Sequence, residues 1–355
     1  MAADDYGIVV GISKYPDISE LFGTENDAQA FYDWLVSPEG GDVPPGRVVP
    51  ILSSQYQPVA PAVAVRLPTA DAIERAFNYL QNAALGANGV PKRFGRRLYV
   101  YVAGHGAALP FSYDPDRADA AFLVADATRY NATHVMARVF ALYFLNAGIF
   151  DEIVVFMDCC RIVYTRLVPR FPTYIDINAI SDSTLERRAF FAFATKWALT
   201  AREKQFGVQS RGVFTTALMN GLQGAAANPD GTVTSSSLRN YLLNHMRDLL
   251  SPDELADPEI PKQPDIPAPA VDLILATVKP PRVSLTVTFP QSAGGQMIRL
   301  RGDGFKVIAS AQTQAGVPWS CDDLTRGGYM VEIPAAGLEQ AFTLIGSEGA
   351  IRVAL

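Results

Sequence analysis

The sequence predicts an α/β protein on a mainly parallel sheet, followed by a small all-β unit of sandwich type. Three observations carry that reading. Over the first 160 residues, short apolar runs with β-branched members alternate with helix patterns. After "KPPR" (279–282) the pattern changes to short alternating strands with turn residues between them. Between these two regimes one apolar run, "DEIVVFMDCCRI" (151–162), ends in two of the three cysteines in the 355-residue chain.

The elements follow in order. "YGIVVGI" (6–12) reads as a buried strand, and "GTENDAQAFYDWL" (23–35) as a helix opening around Thr24, Asn26 and Asp27. "RVVPIL" (47–52) is a second strand, weakened by Pro50. "TADAIERAFNYLQNAAL" (69–85) is an amphipathic helix capped by Thr69 or Asp71. "RRLYVYVAGHG" (96–106) is a third strand ending in a glycine-flanked histidine, and "NATHVMARVFALYFLNAG" (131–148) a long apolar helix. Ile153 to Met157, apolar on both faces, form the next strand. Successive βα units imply parallel pairing with right-handed crossovers, and the carboxyl edge of such a sheet is where open α/β proteins gather their chemistry.

Residues 161–189 mix Arg161, Arg166, Arg170, Arg187 and Arg188 with prolines and read as a long functional loop. A strand (189–197), a helix (212–222) and a helix capped by Thr234 (234–250) come next. A stretch rich in proline and acid (251–270) precedes a last apolar strand, "VDLILATV" (271–278). The expected division is therefore 1–279 and 283–355.

Composition excludes several functions. The net charge is -6 with no long basic run, which argues against a nucleic-acid partner. No stretch reaches the ~18 apolar residues of a membrane span, and "MAADDYGIVVGI" lacks a secretory pattern. Adjacent Cys159 and Cys160 with a remote Cys321 offer no disulfide framework, so a cytoplasmic location is expected, with Cys321 a small packed residue.

The chemistry sits at two strand ends, His105 in "AGHGA" and Cys160 in "DCCR". One helix pattern separates the strands, a topology that can set the two residues side by side. A thiol becomes a useful nucleophile when a neighbouring imidazole takes its proton, and that imidazole can return the proton to a leaving amine. Gly104 and Gly106 leave room for a substrate backbone, and the Gly106 and Cys160 amides are candidate oxyanion donors. The alternative is a pair of buried structural cysteines and a turn histidine in an inactive scaffold whose β-unit binds a partner protein.

These residues resemble the caspase-like peptidases, the clan of caspases, metacaspases and bacterial relatives. "YVAGHG" and "DCC" are similar to its catalytic motifs, with the histidine about 50 residues before the cysteine. "IVVGISKYPDISELFGTENDAQAF", "DAAFLVADA" and "GVFTTAL" are supporting matches, together covering about residues 5–279. The resemblance implies an α/β/α sandwich on a six-stranded, mostly parallel sheet. It also implies a cysteine endopeptidase acting on protein or peptide substrates, with Cys160 as nucleophile, His105 as its partner and Cys159 as a packed neighbour. In the metacaspase branch the positions of Asp158 and Asp27 line the primary specificity pocket, which implies cleavage after arginine or lysine. Caspases read aspartate with an arginine and a glutamine where this chain has Leu21 and Asp158. The chain departs from the metacaspase pattern at Arg161 and Ile162, where histidine and serine are usual, and at Ala103, where serine is common. The resemblance further implies a bacterial setting of stress response, cell death or antiphage defence. The arginines of 161–189 read mostly as solvated loop charges, the alternative being that an arginine-specific peptidase cuts its own loop there, after Arg170 or Arg188 for example.

No cofactor or metal is expected from the residues. "DPDRAD" (114–119) fails as an EF-hand because Ala118 and Ala125 fall on ligand positions, so an activating calcium ion enters only through the resemblance. The 283–355 unit is a candidate dock for a regulatory protein. His134 and His245 read as ordinary helix residues, "NPDGT" (228–232) as a turn and "NAT" (131–133) as an idle sequon.

Overall fold

The computed structural model describes residues 2–56, 67–87, 89–108, 120–163, 168–170, 172, 188–196, 201–279, 282–325, 327–344 and 350–355. The "DPDRAD" segment, Arg166 and Arg187 lie outside them.

In chain order the first part contains β1 (Asp5–Gly11), α1 (Thr24–Val36), β2 (Val48–Leu52), α2 (Ala70–Ala84), β3 (Gly95–Gly104), β4 (Gly106–Ala108), β5 (Ala120–Leu123), β6 (His134–Val135), α3 (Ala137–Asn146), β7 (Phe150–Cys159), β8 (Ile162–Val163) and β9 (Arg188–Phe193). There follow β10 (Glu203–Phe206), β11 (Gln209–Gly212), α4 (Val213–Asn220), β12 (Thr232–Thr234), α5 (Ser235–His245), α6 (Pro252–Ala256) and β13 (Ile274–Thr277). Strands β2-β1-β3-β7-β9, in that order, form a sheet in which every pair is parallel.

The strand period of two sorts the sheet's side chains into two cores. Ile8, Val10, Leu98, Val100, Val102, Ile153, Val155 and Met157 pack with α2 and α3. Val9, Tyr99, Tyr101, Val154 and Phe156 pack with α1, α4 and α5. A sheet with helices buried on both faces is the α/β/α sandwich that was expected, and it explains why the strands read as continuous apolar runs.

The sheet itself has five strands among the described residues, not six. From the run 271–278 only Ile274–Thr277 is strand, and it pairs antiparallel with β12. The outer edge of β9 is met instead by a single bridge between Phe193 and Asp265. Pro261, Pro264, Pro267 and Pro269 flank that bridge, and prolines cannot donate to a ladder.

Two further departures matter near the site. The helix expected over 131–148 begins only at Ala137, because His134–Val135 pairs with β5 in a small sheet of order β6-β5-β4-β8. The β10–β11 hairpin, which no sequence pattern announced, is an antiparallel pair from Glu203↔Gly212 to Phe206↔Gln209. No described helix is long and apolar enough to cross a membrane.

From residue 283 the chain forms β14 (Val283–Thr288), β15 (Met297–Arg301), β16 (Val307–Gln312), β17 (Trp319–Leu324), β18 (Gly327–Ile333), β19 (Leu338–Leu344) and β20 (Ala350–Ala354). Two sheets, β17-β14-β20 and β16-β15-β18-β19, enclose a core that includes Leu285, Ile298, Leu300, Val331 and Ile333. Strand β17 was not expected, and its Cys321 packs partly buried against this core.

Candidate active site

His105 and Cys160 are set by strand register. Gly104 on β3 is the partner of Cys159 on β7. Just beyond, Ala107 on β4 is the partner of Ile162 on β8. Both flanks therefore put His105 opposite Cys160, at the carboxyl edge of neighbouring parallel strands that run about 4.8 Å apart. Gly106 permits this closeness: a Cβ there would lie 2.4 Å from the Cys160 carbonyl oxygen and 2.8 Å from Cys159 Sγ. Alternation sends Cys159 into the α2/α3 core, fully packed, and Asp158 to the opposite face.

The imidazole is fixed by two residues of the β1–α1 connection. His105 Nε2 lies 2.7 Å from the Ser19 carbonyl, so it carries the proton and Nδ1 is left as the basic nitrogen. Tyr15 supports it twice, its hydroxyl accepting the His105 main-chain N–H at 2.9 Å and its ring packing on the imidazole at 4.8 Å between centroids. Gly104 serves this contact rather than a substrate, because a Cβ there would stand 2.7 Å from both the Tyr15 hydroxyl and a Phe122 ring carbon. Burial lowers the His105 pKa from its usual 6.5, so the ring is neutral and able to take a proton at pH 7.

Cys160 is 9% exposed, and burial pushes its thiol up to about 11, with the Ala201 main-chain N–H opposing that rise. This amide donates to Sγ at 3.2 Å. At rest the pair is thus thiol and neutral imidazole, an arrangement suited to general-base activation rather than a standing ion pair. The next residue, Arg161, is buried under the site. It pairs with Asp265, reaches the Thr195 carbonyl, and stacks 4.9 Å over the Phe193 ring. It thereby ties the end of β7 to the segment whose Asp265 bridges Phe193 at the edge of β9.

Asp27 and Asp158 come together from α1 and β7 around Gly212, where a Cβ would lie 2.2 Å from Asp158 Oδ2 and 3.0 Å from Asp27 Oδ2. Asp158 Oδ2 accepts from Thr215 Oγ1 at 2.6 Å and from the Thr215 N–H at 3.2 Å, in the first turn of α4. The Thr215 hydroxyl in turn accepts from Tyr101 at 2.6 Å. Asp27 Oδ2 accepts the Gly212 N–H at 2.6 Å, and Oδ1 accepts from Arg211 Nε at 3.0 Å. Desolvation raises both carboxyl pKa values, and the Asp158 charge adds to the rise at Asp27. Asp27 therefore does not cap its own helix. From the hairpin, Glu203 holds the chain just ahead of α1, accepting the Gly23 and Phe22 amides at 2.9 and 3.0 Å.

The remaining sequence candidates lie apart. His134 Nδ1 bonds the Ala132 carbonyl at 2.8 Å, and His245 pairs with Asp248 at 2.8 Å. Arg188 is the first residue of β9, in register with Glu152, so cutting after it would sever a sheet strand. Arg170 pairs with Glu74 at 3.3 Å. Tyr15, Ser19, Ala201, Glu203, Arg211, Gly212 and Thr215 were missed from sequence. Only the "GISKYP" and "RGVFTT" segments around some of them carried any signal.

No protein-family model matches the chain. It is 26% identical over 229 residues to a probable protease of a Desulfuromonadales bacterium, covering 62% of this chain and 26% of that protein. The chain thus spans about a quarter of the length of this curated relative. Among solved structures, caspase-1 of Spodoptera frugiperda aligns over 78% of this chain and 92% of its own, with 16% identity and a TM-score of 0.45. A protein of Geobacter sulfurreducens aligns over 78% of this chain and all of its own, with 14% identity and a TM-score of 0.45.

Proposed function

We propose that the chain is a caspase-like cysteine endopeptidase using Cys160 and His105 on protein or peptide substrates with a basic P1 residue. The observation that carries this reading is the register placing His105 opposite Cys160 at the carboxyl edge, with the imidazole held in the tautomer that leaves Nδ1 basic. The probable-protease relative adds to it.

In this scheme Nδ1 of His105 takes the thiol proton as Sγ attacks the scissile carbonyl carbon. The carbonyl oxygen becomes an oxyanion, for which the Cys160 and Gly106 amides are the assigned donors. Collapse breaks the C–N bond, and the imidazolium returns its proton to the departing amine. Water, deprotonated by the same imidazole, then cleaves the thioester to release the acid and regenerate the thiol. Asp27 and Asp158 form the pocket for the P1 cation. Residues 1–279 would form the peptidase unit, and the sandwich from 283 a separate unit that docks a regulatory protein.

The test is turnover of fluorogenic peptides bearing Arg, Lys, Asp or Leu at P1, with and without calcium, using Cys160→Ala as control. Cleavage after Arg or Lys that vanishes in the variant supports the whole scheme. Cleavage after Asp or Leu keeps the peptidase and removes the pocket assignment. If nothing turns over and alkylation of Cys160 is slow and independent of His105, the chain is a scaffold.

A further inference from the structure

We propose that Arg211 is the chain's own occupant of the acidic pocket, standing where a P1 cation would stand, and that it sets how strongly the site selects basic substrates. The inference rests on reading Asp27 and Asp158 as that pocket. Arg211 comes from the β10–β11 hairpin, directly before the glycine on which the two carboxylates converge. Its side chain is 21% exposed and that of Asp27 only 2%, so the arginine is the member of the pair that reaches solvent while the carboxylate is buried. A substrate cation must displace it to reach Asp27.

Displacement asks for one side chain to turn, not for the hairpin to move. The hairpin backbone is held separately, by Gly212 N–H on Asp27 at 2.6 Å and by Asn26 Nδ2 on the Ser210 carbonyl at 3.1 Å. Glu203 holds it as well, through the Phe22 and Gly23 amides. The arginine's own grip is incomplete. Its Nε serves Asp27 Oδ1 at 3.0 Å, while Nη2 is buried and makes no hydrogen bond among the described residues. A substrate guanidinium able to present both prongs of its fork has an advantage over this one-pronged contact. An intramolecular competitor that leaves the pocket open one-tenth of the time weakens apparent substrate affinity about tenfold.

The experiment compares KM for matched Arg-P1 and Leu-P1 peptides in the wild-type chain, Arg211→Ala and Arg211→Lys. A benzamidine titration of the Cys160→Ala chain, with and without Arg211→Ala, reads the pocket without catalysis. The expected result is an Arg-P1 KM about tenfold lower in Arg211→Ala, with the Leu-P1 KM moving less than about twofold. Benzamidine should bind tighter by a similar factor, and Arg211→Lys should stay near wild type. A folded Arg211→Ala whose Arg-P1 KM and benzamidine affinity are unchanged or weaker makes Arg211 a strut and overturns the proposal. Should Arg211→Ala not fold, a charge-free Arg211→Gln without a lowered KM overturns it equally. If benzamidine binds no variant and Asp27→Asn leaves P1 preference untouched, the pocket reading fails first and takes this inference with it.

Discussion

Tyr15→Phe tests how the imidazole is held. The substitution removes one oxygen and keeps the ring, so the 2% exposed side chain retains its packing and its contact with the imidazole. That oxygen accepts the His105 main-chain N–H at 2.9 Å, its one short bond, since the Leu123 and Ile12 carbonyls are 3.4 and 3.5 Å away. The loss is therefore one buried amide left without an acceptor, which costs about 1–3 kcal/mol. Gly104, which leaves the hydroxyl its space, cannot supply a replacement. Urea unfolding should show a lower midpoint at constant slope, corresponding to about 2 kcal/mol. With the main chain of His105 released, kcat for a cleaved peptide should drop about tenfold while KM changes little. The histidine-dependent part of Cys160 alkylation should fall with it. A stability change below about 0.5 kcal/mol together with unchanged kcat and alkylation would refute the argument, showing that the amide finds another acceptor.

Other outcomes follow from the same geometry. Gly106→Ala drives a methyl against the Cys160 carbonyl, so the melting temperature should fall by the equivalent of about 1–3 kcal/mol and turnover should be lost; wild-type melting would mean that β4 and the end of β7 are not so close. Thr215→Val strips the Asp158 carboxylate of a 2.6 Å donor and orphans the Tyr101 hydroxyl, for about 3 kcal/mol in denaturant titrations. Because those bonds hold the raised Asp158 pKa down, the penalty should be full where Asp158 is ionised and shrink as pH falls through its pKa; a penalty equal at about pH 8 and pH 4 contradicts this. Burial lowers the His105 pKa, so the acid limb of kcat/KM should lie below 6.5. On the same sign, stability should decline as pH drops below 6.5, since the unfolded chain then binds a proton that the folded one refuses. An acid limb above 6.5 would count against the neutral imidazole. Asp265→Ala removes the anion from buried Arg161 and should cost about 2 kcal/mol, read as a shifted urea midpoint.

Much of the site was legible because its logic is local. An apolar strand that ends in a reactive residue can be read from a dozen letters, and two such strands joined by one helix already suggest a shared edge. The alternation that splits Cys159 from Asp158 is likewise a property of a single strand. Gly104 shows where local reasoning stops: its space was assigned to a substrate, and the fold gives it to the Tyr15 hydroxyl and the Phe122 ring. The sixth strand failed for a related reason, since an apolar run states that it will be buried but not which neighbour will pair with it.

The sequence by itself determined the two-sided parallel sheet, the sandwich that follows it, and the candidate pair His105 and Cys160. Periods of two and 3.6 residues are written in the chain whatever it packs against. Only the tertiary structure decided the tautomer imposed by Ser19, the amide of Ala201 on the thiol, and the arginine of a distant hairpin lying over Asp27. Those contacts join groups up to 184 residues apart, and their geometry depends on register and loop path, which no local pattern encodes.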